Sequence, residues 1–135
     1  MSQAAALKPT ASSDQAEVEA VVWTYLDGLY EGDTEKLGAA FHPVAHLYGV
    51  DDKGNVTDLP REKWFEAVKG RPSPKSQNKT RHDRIVQIDQ SGPATAFVKV
   101  ECAIPPRFFV DYLSLIKTGE GWRVVAKSFK VDVKE

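Results

Sequence analysis

The chain has little cysteine, no long apolar run and almost no net charge. A single cysteine among 135 residues excludes an internal disulfide framework and any multi-cysteine metal site. The 18 basic and 19 acidic residues nearly cancel, which argues against a nucleic-acid-binding protein that depends on a large positive field. No apolar run approaches the roughly 18–20 residues that span a bilayer, so we expect neither a nucleic-acid nor a membrane partner. What remains is a small soluble domain, which we expect to be cytoplasmic.

The length and the ends of the chain indicate one domain with a short tail. Residues 1–13 contain no apolar stretch typical of a signal peptide, and we expect them to form a disordered N-terminal tail. Residues 14–135 are then a single domain, because domains most often hold about 100–150 residues. Hydrophobic residues make up 41% of the chain, which is enough for a substantial core.

The first half of the chain has the periodicity of helices. Val18, Val22 and Tyr25 recur at helical spacing. The Asp14 side chain is placed to cap the start of that helix. The elements predicted here are, in order, a helix from Asp14 to Glu31, a short helix after Asp33 that carries Phe41 and ends before Pro43, strands over His46–Val50 and Val56–Leu59, and a helix from Pro60 to Gly70.

The second half of the chain changes to the composition of β-strands. Four segments are rich in Val, Ile, Phe, Thr and Tyr. The connections between them are short, which favours an antiparallel meander. Helices followed by strands predict an α+β fold with N-terminal helices packed on a sheet. The four strands are predicted over Thr80–Gln90, Ala94–Ile104, Arg107–Thr118 and Trp122–Val133.

Both faces of the third long strand are mostly apolar. One face carries Phe109, Asp111, Leu113 and Leu115, and the other carries Phe108, Val110, Tyr112, Ser114 and Ile116. Three helices can cover only one face of such a sheet, and an exposed apolar face usually marks an interface. We therefore expect a homodimer through the sheet. The alternative is a sheet curled strongly enough to cover itself.

Three segments resemble one known family. They are Tyr25–Asp33, Phe41–Ala45, and the hairpin of Val110–Lys117 with Gly121–Val125. In this order they resemble the nuclear transport factor 2-like superfamily, also called cystatin-like α+β cones. The hairpin is especially similar to the putative lumazine-binding subgroup, and the chain is also similar to ketosteroid isomerases and polyketide cyclase-like proteins. The resemblance implies a strongly curved, mostly antiparallel sheet that forms a cone with an internal pocket, but such a fold does not assign a function.

The resemblance to ketosteroid isomerases implies two site residues and leaves a third role unfilled. Matching the end of the first helix places Tyr25 on the oxyanion tyrosine of those enzymes, and matching the last hairpin places Asp111 on their oxyanion acid. Gly49 stands where they have the catalytic aspartate, and a glycine cannot accept a proton. His46 and His82 are the remaining candidates for a general base, because an imidazole titrates near neutral pH.

The charged residues near this site have more than one interpretation. Asp111 is either a protonated donor to a ligand or a buried structural group that hydrogen-bonds a neighbour and fixes the hairpin. Lys127 is expected to be an edge or solvated lysine, with approach to an anionic ligand as the alternative. The basic stretch from Arg71 to Arg84 is expected to be a solvated loop, with an anion-attracting pocket rim as the alternative.

The candidate lining residues of the pocket are aromatic. They are Tyr48, Trp64, Phe97 and Phe109, beside Tyr25 and Asp111. A metal site would need His46, His82 and Asp111 to converge, and the spacing of these three residues does not support it, so neither a metal nor another cofactor is expected. We expect a small-molecule-binding protein whose pocket takes a partly apolar ligand. The alternatives are an isomerase-, cyclase- or dehydratase-type enzyme that uses acid–base chemistry on a carbonyl compound, and a non-catalytic dimeric interaction module.

Overall fold

The computed structural model describes the backbone of residues 3–134 and the side chains of residues 14–134. The helices are α1 (Gln3–Glu31), α2 (Thr34–Ala40) and α3 (Arg61–Lys69), and a 3₁₀ turn spans Lys75–Gln77. The strands are β1 (Phe41–Val50), β2 (Val56–Pro60), β3 (Arg84–Ser91), β4 (Thr95–Ile104), β5 (Arg107–Thr118) and β6 (Gly121–Val133). Within this part of the chain, no helix is long and apolar enough to cross a membrane.

The six strands form one sheet in the order β2–β1–β6–β5–β4–β3. Neighbouring strands are antiparallel, except that β1 runs parallel to β6. The last four strands are the predicted meander, and the three helices pack against one face of the sheet. The predicted fold class is therefore confirmed, with N-terminal helices packed on a mostly antiparallel sheet.

Strand β1 begins earlier than the sequence predicts. Phe41 is its first residue and pairs with Val124 of β6, so Phe41 does not belong to the second helix. The pairing with β6 is irregular between Phe41 and His46. Pro43 lies in this irregular stretch, where its missing N–H breaks no ladder hydrogen bond. A proline after a helix therefore marks a bulged strand here, and not a loop.

Strand β3 begins at Arg84, later than the predicted Thr80. The preceding residues form a loop held by Arg81, whose guanidinium donates to Asp83 at 2.8 Å and to Asp27 of α1 at 2.9 Å. These ion pairs tie the loop to the helix, so the backbone here does not join the ladder. The alternating pattern of the sequence does not reveal them.

Asp14 joins α1 to the sheet instead of capping the helix. Helix α1 begins upstream of it, at Gln3. Its Oδ1 accepts hydrogen bonds from Lys117 Nζ at 2.9 Å and Trp122 Nε1 at 3.3 Å, and its Oδ2 accepts one from Gln90 Nε2 at 3.2 Å. The Lys117 hydrogen bond, above all, lowers the pKa of Asp14. The predicted tail over residues 1–13 lies outside the residues whose side chains are described, and its disorder stays a prediction.

The hydrophobic core lies between α1 and the inner face of the sheet. Val18 and Val22 project from α1 and are fully buried. On the sheet, Val98 of β4 lies opposite Leu113 of β5, and both are fully buried. Each such side chain contributes about 1.5–3 kcal/mol on burial. Asp111 is on this same face, so the predicted division of β5 into two faces is correct.

The outer face of the sheet keeps exposed apolar side chains. Tyr112 is 44% exposed and Ile116 is 37% exposed. Phe97 lies on this face and stacks on Tyr112, with the ring centroids 5.7 Å apart. Phe97 therefore points away from the helix-covered interior that it was expected to line. The homodimer expected through this face stays a prediction.

Candidate functional site

A cavity of about 360 Å³ lies between the inner face of the sheet and helices α1 and α3. Most of its wall is apolar, but several basic and polar groups also reach it. The apolar lining residues are Leu29, Leu47, Leu59, Trp64, Ile104, Phe109, Phe129 and Val131; the others are Tyr25, Arg71, Cys102, Arg107 and Lys127. An apolar enclosure with a few polar groups is typical of a small-molecule site.

Three buried polar side chains meet at the wall of this cavity. The Tyr25 hydroxyl donates to Asp111 Oδ2 at 2.5 Å and accepts from Lys127 Nζ at 2.9 Å. Lys127 Nζ also lies 3.7 Å from Asp111 Oδ2. Asp111 and Tyr25 are fully buried, and Lys127 is 5% exposed. We call these residues the Tyr25–Asp111–Lys127 cluster. Its hydrogen bonds run in one direction, from the ammonium through the phenol to the carboxylate.

The register of β5 and β6 brings the two charged members of the cluster together. Leu113 lies opposite Lys127, so Asp111 and Lys127 are diagonal neighbours on the inner face. The ladder shifts register between this pair and the start of β6, where Trp122 and Val124 also face inward. An extra residue in β6 therefore places Lys127 on the inner face. Strict alternation from Trp122 and Val124 would place it on the outer face.

Burial keeps the Tyr25 hydroxyl and the Cys102 thiol neutral. The pKa of Tyr25 is raised well above its ordinary value, mainly because the hydroxyl is desolvated and to a smaller extent because Asp111 is charged. The pKa of the Cys102 thiol is also raised, mainly by desolvation and to a smaller extent by the charge of the same carboxylate. The Cys102 sulfur lies 3.6 Å from Asp111 Oδ2. A neutral thiol here is a poor nucleophile, and Tyr25 stays a phenol at neutral pH.

Lys127 is surrounded by aromatic rings. Its Nζ lies 5.0 Å from the ring centre of Phe129, 5.3 Å from that of Trp64 and 6.0 Å from that of Phe109. Such rings stabilise a cation through their electron-rich faces. The expectation of a solvated edge lysine is therefore wrong, because the β6 bulge turns the side chain inward. The alternation of Lys127, Phe129 and Val131 is the signal that indicates this.

Two arginines line the cavity without an acidic partner among the residues with described side chains. Arg107 is exposed and Arg71 is half-buried, so they border the cavity opening. The pKa of Arg71 is lowered, mainly by desolvation and to a smaller extent by repulsion from Arg107. Of the two interpretations of the basic stretch, the pocket rim fits Arg71. No sequence pattern pointed to Arg107, whose position depends on the start of β5.

The structure separates the predicted site residues into those at the cavity and those away from it. Tyr25, Trp64 and Phe109 line the cavity. Asp111 is not among the lining residues and lies behind three of them, Tyr25, Lys127 and Cys102. The Tyr25 proton is engaged by Asp111, so in this state neither residue presents a free donor to a ligand, as an oxyanion pair would.

His46 and Tyr48 lie on the outer face of the sheet. In the pairing of β1 with β6, Leu47 lies opposite Lys127 and takes the inward position, so its two neighbours point outward. The His46 ring stacks on Tyr48, and its Nδ1 lies 2.5 Å from Asp58 Oδ1. Neither side chain lines the cavity they were expected to enter.

His82 and Asp51, which lies in the turn between β1 and β2, are also away from the cavity. His82 lies in the loop before β3, where its ring packs on that of Phe108 in a T-shaped arrangement with the ring centroids 5.1 Å apart. Asp51 accepts backbone hydrogen bonds from Lys53 and Asn55 at 2.9 Å in the β1–β2 turn. The described part of the chain therefore brings no histidine to the cavity, and it holds no group of three His, Cys, Asp or Glu side chains able to bind a metal ion.

Comparison with known proteins gives a family and a distant enzyme relative. A family model described as "Putative lumazine-binding" matches residues 13–130. The aldolase FrzH of Cladobotryum sp is 26% identical over 128 residues, which cover 90% of this chain and 94% of that protein.

Solved structures share the fold. An NTF2-like protein of unknown function from Shewanella baltica OS155 has a TM-score of 0.80 at 23% identity, covering 90% of this chain and 95% of its own. A putative scytalone dehydratase from Novosphingobium aromaticivorans DSM 12444 has a TM-score of 0.67 at 14% identity, and the match covers 93% of this chain and 88% of that protein. The predicted resemblance to nuclear transport factor 2-like proteins is confirmed at the level of the fold.

Proposed function

Because the chain belongs to the putative lumazine-binding family, we propose that it binds a small organic molecule in its cavity, and that this molecule is a partly apolar anion. The observation that carries the proposal is the charge of the cavity wall. Arg71, Arg107 and Lys127 all line it, while no acidic side chain of the described residues does so and Asp111 lies behind Tyr25.

The size and walls of the cavity favour a compact ligand with a planar apolar body. About 360 Å³ lies near the lower end of the roughly 300–1,000 Å³ typical of ligand sites. Trp64, Phe109 and Phe129 provide flat apolar surfaces, against which an aromatic ring can stack. A dry apolar core would fill this space with side chains, so the open cavity does not fit a pure interaction module.

The two arginines favour a carboxylate or phosphate on that ligand. A guanidinium offers paired N–H donors whose spacing matches the oxygens of such groups. Arg71 is half-buried beside a like charge, and a bound anion would offset this repulsion. The negative group of the ligand is therefore placed at the opening, and its apolar body is placed inside.

Calorimetric titration with 2-naphthoate and with the neutral 2-naphthamide tests this class of ligand. We expect 2-naphthoate to bind more tightly, and Arg71→Gln to weaken its binding about 10- to 100-fold, because a hydrogen bond to a charged group contributes about 1.5–3 kcal/mol. Arg84→Gln is the matched control, since Arg84 is exposed and contacts Glu101 on the sheet. Equal affinity for the acid and the amide, or no effect of Arg71→Gln, would contradict the proposal. Tighter binding of uncharged lumazine would indicate that the ligand of this cavity is a pteridine and not an anion.

A second candidate function is acid–base catalysis on a carbonyl compound. The hydrogen-bonded Tyr25–Asp111–Lys127 cluster favours it, because a proton donor at a cavity wall can polarise a carbonyl oxygen. The similarity to an aldolase supports the same class of substrate. In this function Lys127 is the donor to the substrate, and Asp111 is a positioning residue.

Exchange of the α-hydrogens of 4-oxopentanoate for deuterium, followed by NMR, tests this candidate. We expect the protein to accelerate the exchange and Lys127→Met to abolish the acceleration. The same rate with and without protein would exclude catalysis of enolisation for this substrate class and would leave the binding proposal standing.

A further inference from the structure

We propose that Lys127 is a nucleophilic lysine whose amine forms a covalent imine with an aldehyde or ketone in the cavity. This inference rests on the proposed binding of small molecules by the cavity. It adds a covalent step that binding does not require. The site consists of Lys127 Nζ as the nucleophile and Tyr25 with Asp111 as the route for its proton.

The first observation is the position of the amine. Lys127 is the one buried lysine among the residues with described side chains, and it lines the cavity. Its Nζ lies within the reach of Trp64 and Phe129, whose rings exclude water from one side. A lysine enclosed by apolar groups beside a cavity meets the spatial requirement for attack on a bound carbonyl carbon.

The second observation is a route by which the ammonium loses its proton. Attack requires the neutral amine, and the Tyr25 oxygen accepts from Lys127 Nζ while its own proton points to Asp111 Oδ2. Transfer of one proton along each hydrogen bond leaves a neutral amine, a phenol and a carboxylic acid. Asp111 Oδ1 has no hydrogen-bond partner, so the carboxyl group has capacity for the proton. Removing two opposite charges from an apolar interior also relieves their desolvation cost.

The chemistry balances without a further reactant. The nitrogen lone pair forms the C–N bond, and the carbonyl π electrons move to oxygen, which takes up the proton stored on Asp111. The nitrogen of the resulting carbinolamine carries two protons and a positive charge, and the hydroxyl group leaves together with one of these protons as one water. The product is a protonated imine between the ligand carbon and Lys127 Nζ, which keeps the second proton and faces the Asp111 carboxylate. No group is oxidised or reduced, and the polarised imine is the electron sink that carbon–carbon bond formation next to a carbonyl needs.

Reductive trapping with 4-carboxybenzaldehyde tests the inference. This probe carries an aromatic body, a carboxylate and an aldehyde, and cyanoborohydride converts its imine into a stable amine. We expect a mass increase equal to one aldehyde less one oxygen atom, located by peptide mapping on Lys127. Lys130, exposed on the same strand, is the internal control in the wild-type protein. Equal labelling of both lysines would overturn the inference without the need for any variant.

Three variants separate the nucleophile from its positioning residues. Lys127→Met and Lys127→Arg are both expected to lose the specific label, and Lys130→Met is expected to keep it. Tyr25→Phe is expected to lower the limiting rate of labelling while the half-saturating aldehyde concentration stays unchanged, because it removes the proton route and not the nucleophile. An unchanged limiting rate of labelling would show that Tyr25 does not carry the proton from Lys127.

The outcomes distinguish this inference from the binding proposal. Binding of 2-naphthoate without labelling of Lys127 would overturn the imine alone. Labelling of Lys127 without a preference for 2-naphthoate over its amide would support the imine and overturn the anion requirement. Failure of both would show that the cavity is not a site for this class of molecule.

Discussion

Removing the Lys127 ammonium should leave the Asp111 carboxylate buried without a cation. Asp111 is fully buried, and Lys127 Nζ is 3.7 Å from its Oδ2. Breaking a buried ion pair from one side costs about 3–5 kcal/mol. The Tyr25 hydroxyl still donates to the same oxygen after the substitution, so we expect the lower end of this range. Lys127→Met should therefore reduce the free energy of unfolding by about 3 kcal/mol.

Urea unfolding followed by tryptophan fluorescence measures this loss. The midpoint should fall with an unchanged dependence on urea, because the surface exposed on unfolding stays the same. Adding Asp111→Asn should recover about 2 kcal/mol, since a neutral amide no longer needs the cation. Lys130→Met, the exposed control, should change stability by less than about 0.5 kcal/mol. A loss below about 1 kcal/mol for Lys127→Met, or strictly additive effects in the double variant, would refute the reasoning.

Two further predictions concern other parts of the molecule. The folded-state pKa of Asp14 is lowered, so its contribution to stability is complete above its ordinary pKa and disappears as the pH falls through the folded value. Asp14→Asn should thus destabilise the protein in urea unfolding at pH 7, and the difference should shrink below about pH 4; an equal difference at both pH values would contradict this. Sedimentation should show a dimer at micromolar concentration that Tyr112→Lys, on the exposed outer face, converts to a monomer, and a monomeric wild-type protein would contradict the dimer.

The parts of the fold that follow from local patterns could be predicted from the sequence. Alternation along β5 separates Asp111 from Tyr112 correctly, because one face of that strand packs on helices and the period of a strand is two. Helical spacing places Tyr25 on the inward face of α1 for the same kind of reason. Both residues therefore reach the site region that the sequence indicates.

The parts that depend on bulges could not be predicted in this way. In β1, Leu47 faces inward with Phe41 and Ala45, which share its parity, so His46 and Tyr48 face outward; a strand predicted to begin only at His46 lacks the two buried residues that set this parity. A shift in the β5–β6 ladder turns Lys127 to the inner face, against the parity set by Trp122. A single extra residue exchanges the two faces of a strand. Local composition does not show where that residue falls, so the sequence predicts a solvated Lys127, whereas His82 lies away from the cavity because β3 begins only at Arg84.

A crystal structure of the protein grown with 2-naphthoate would test the central claim most directly. The claim is that the cavity is a binding site for a partly apolar anion. The naphthalene ring should lie between Trp64 and Phe129, with its carboxylate within hydrogen-bond distance of Arg71 or Arg107. An empty cavity at saturating ligand, or a ligand bound only on the outer face of the sheet, would contradict it.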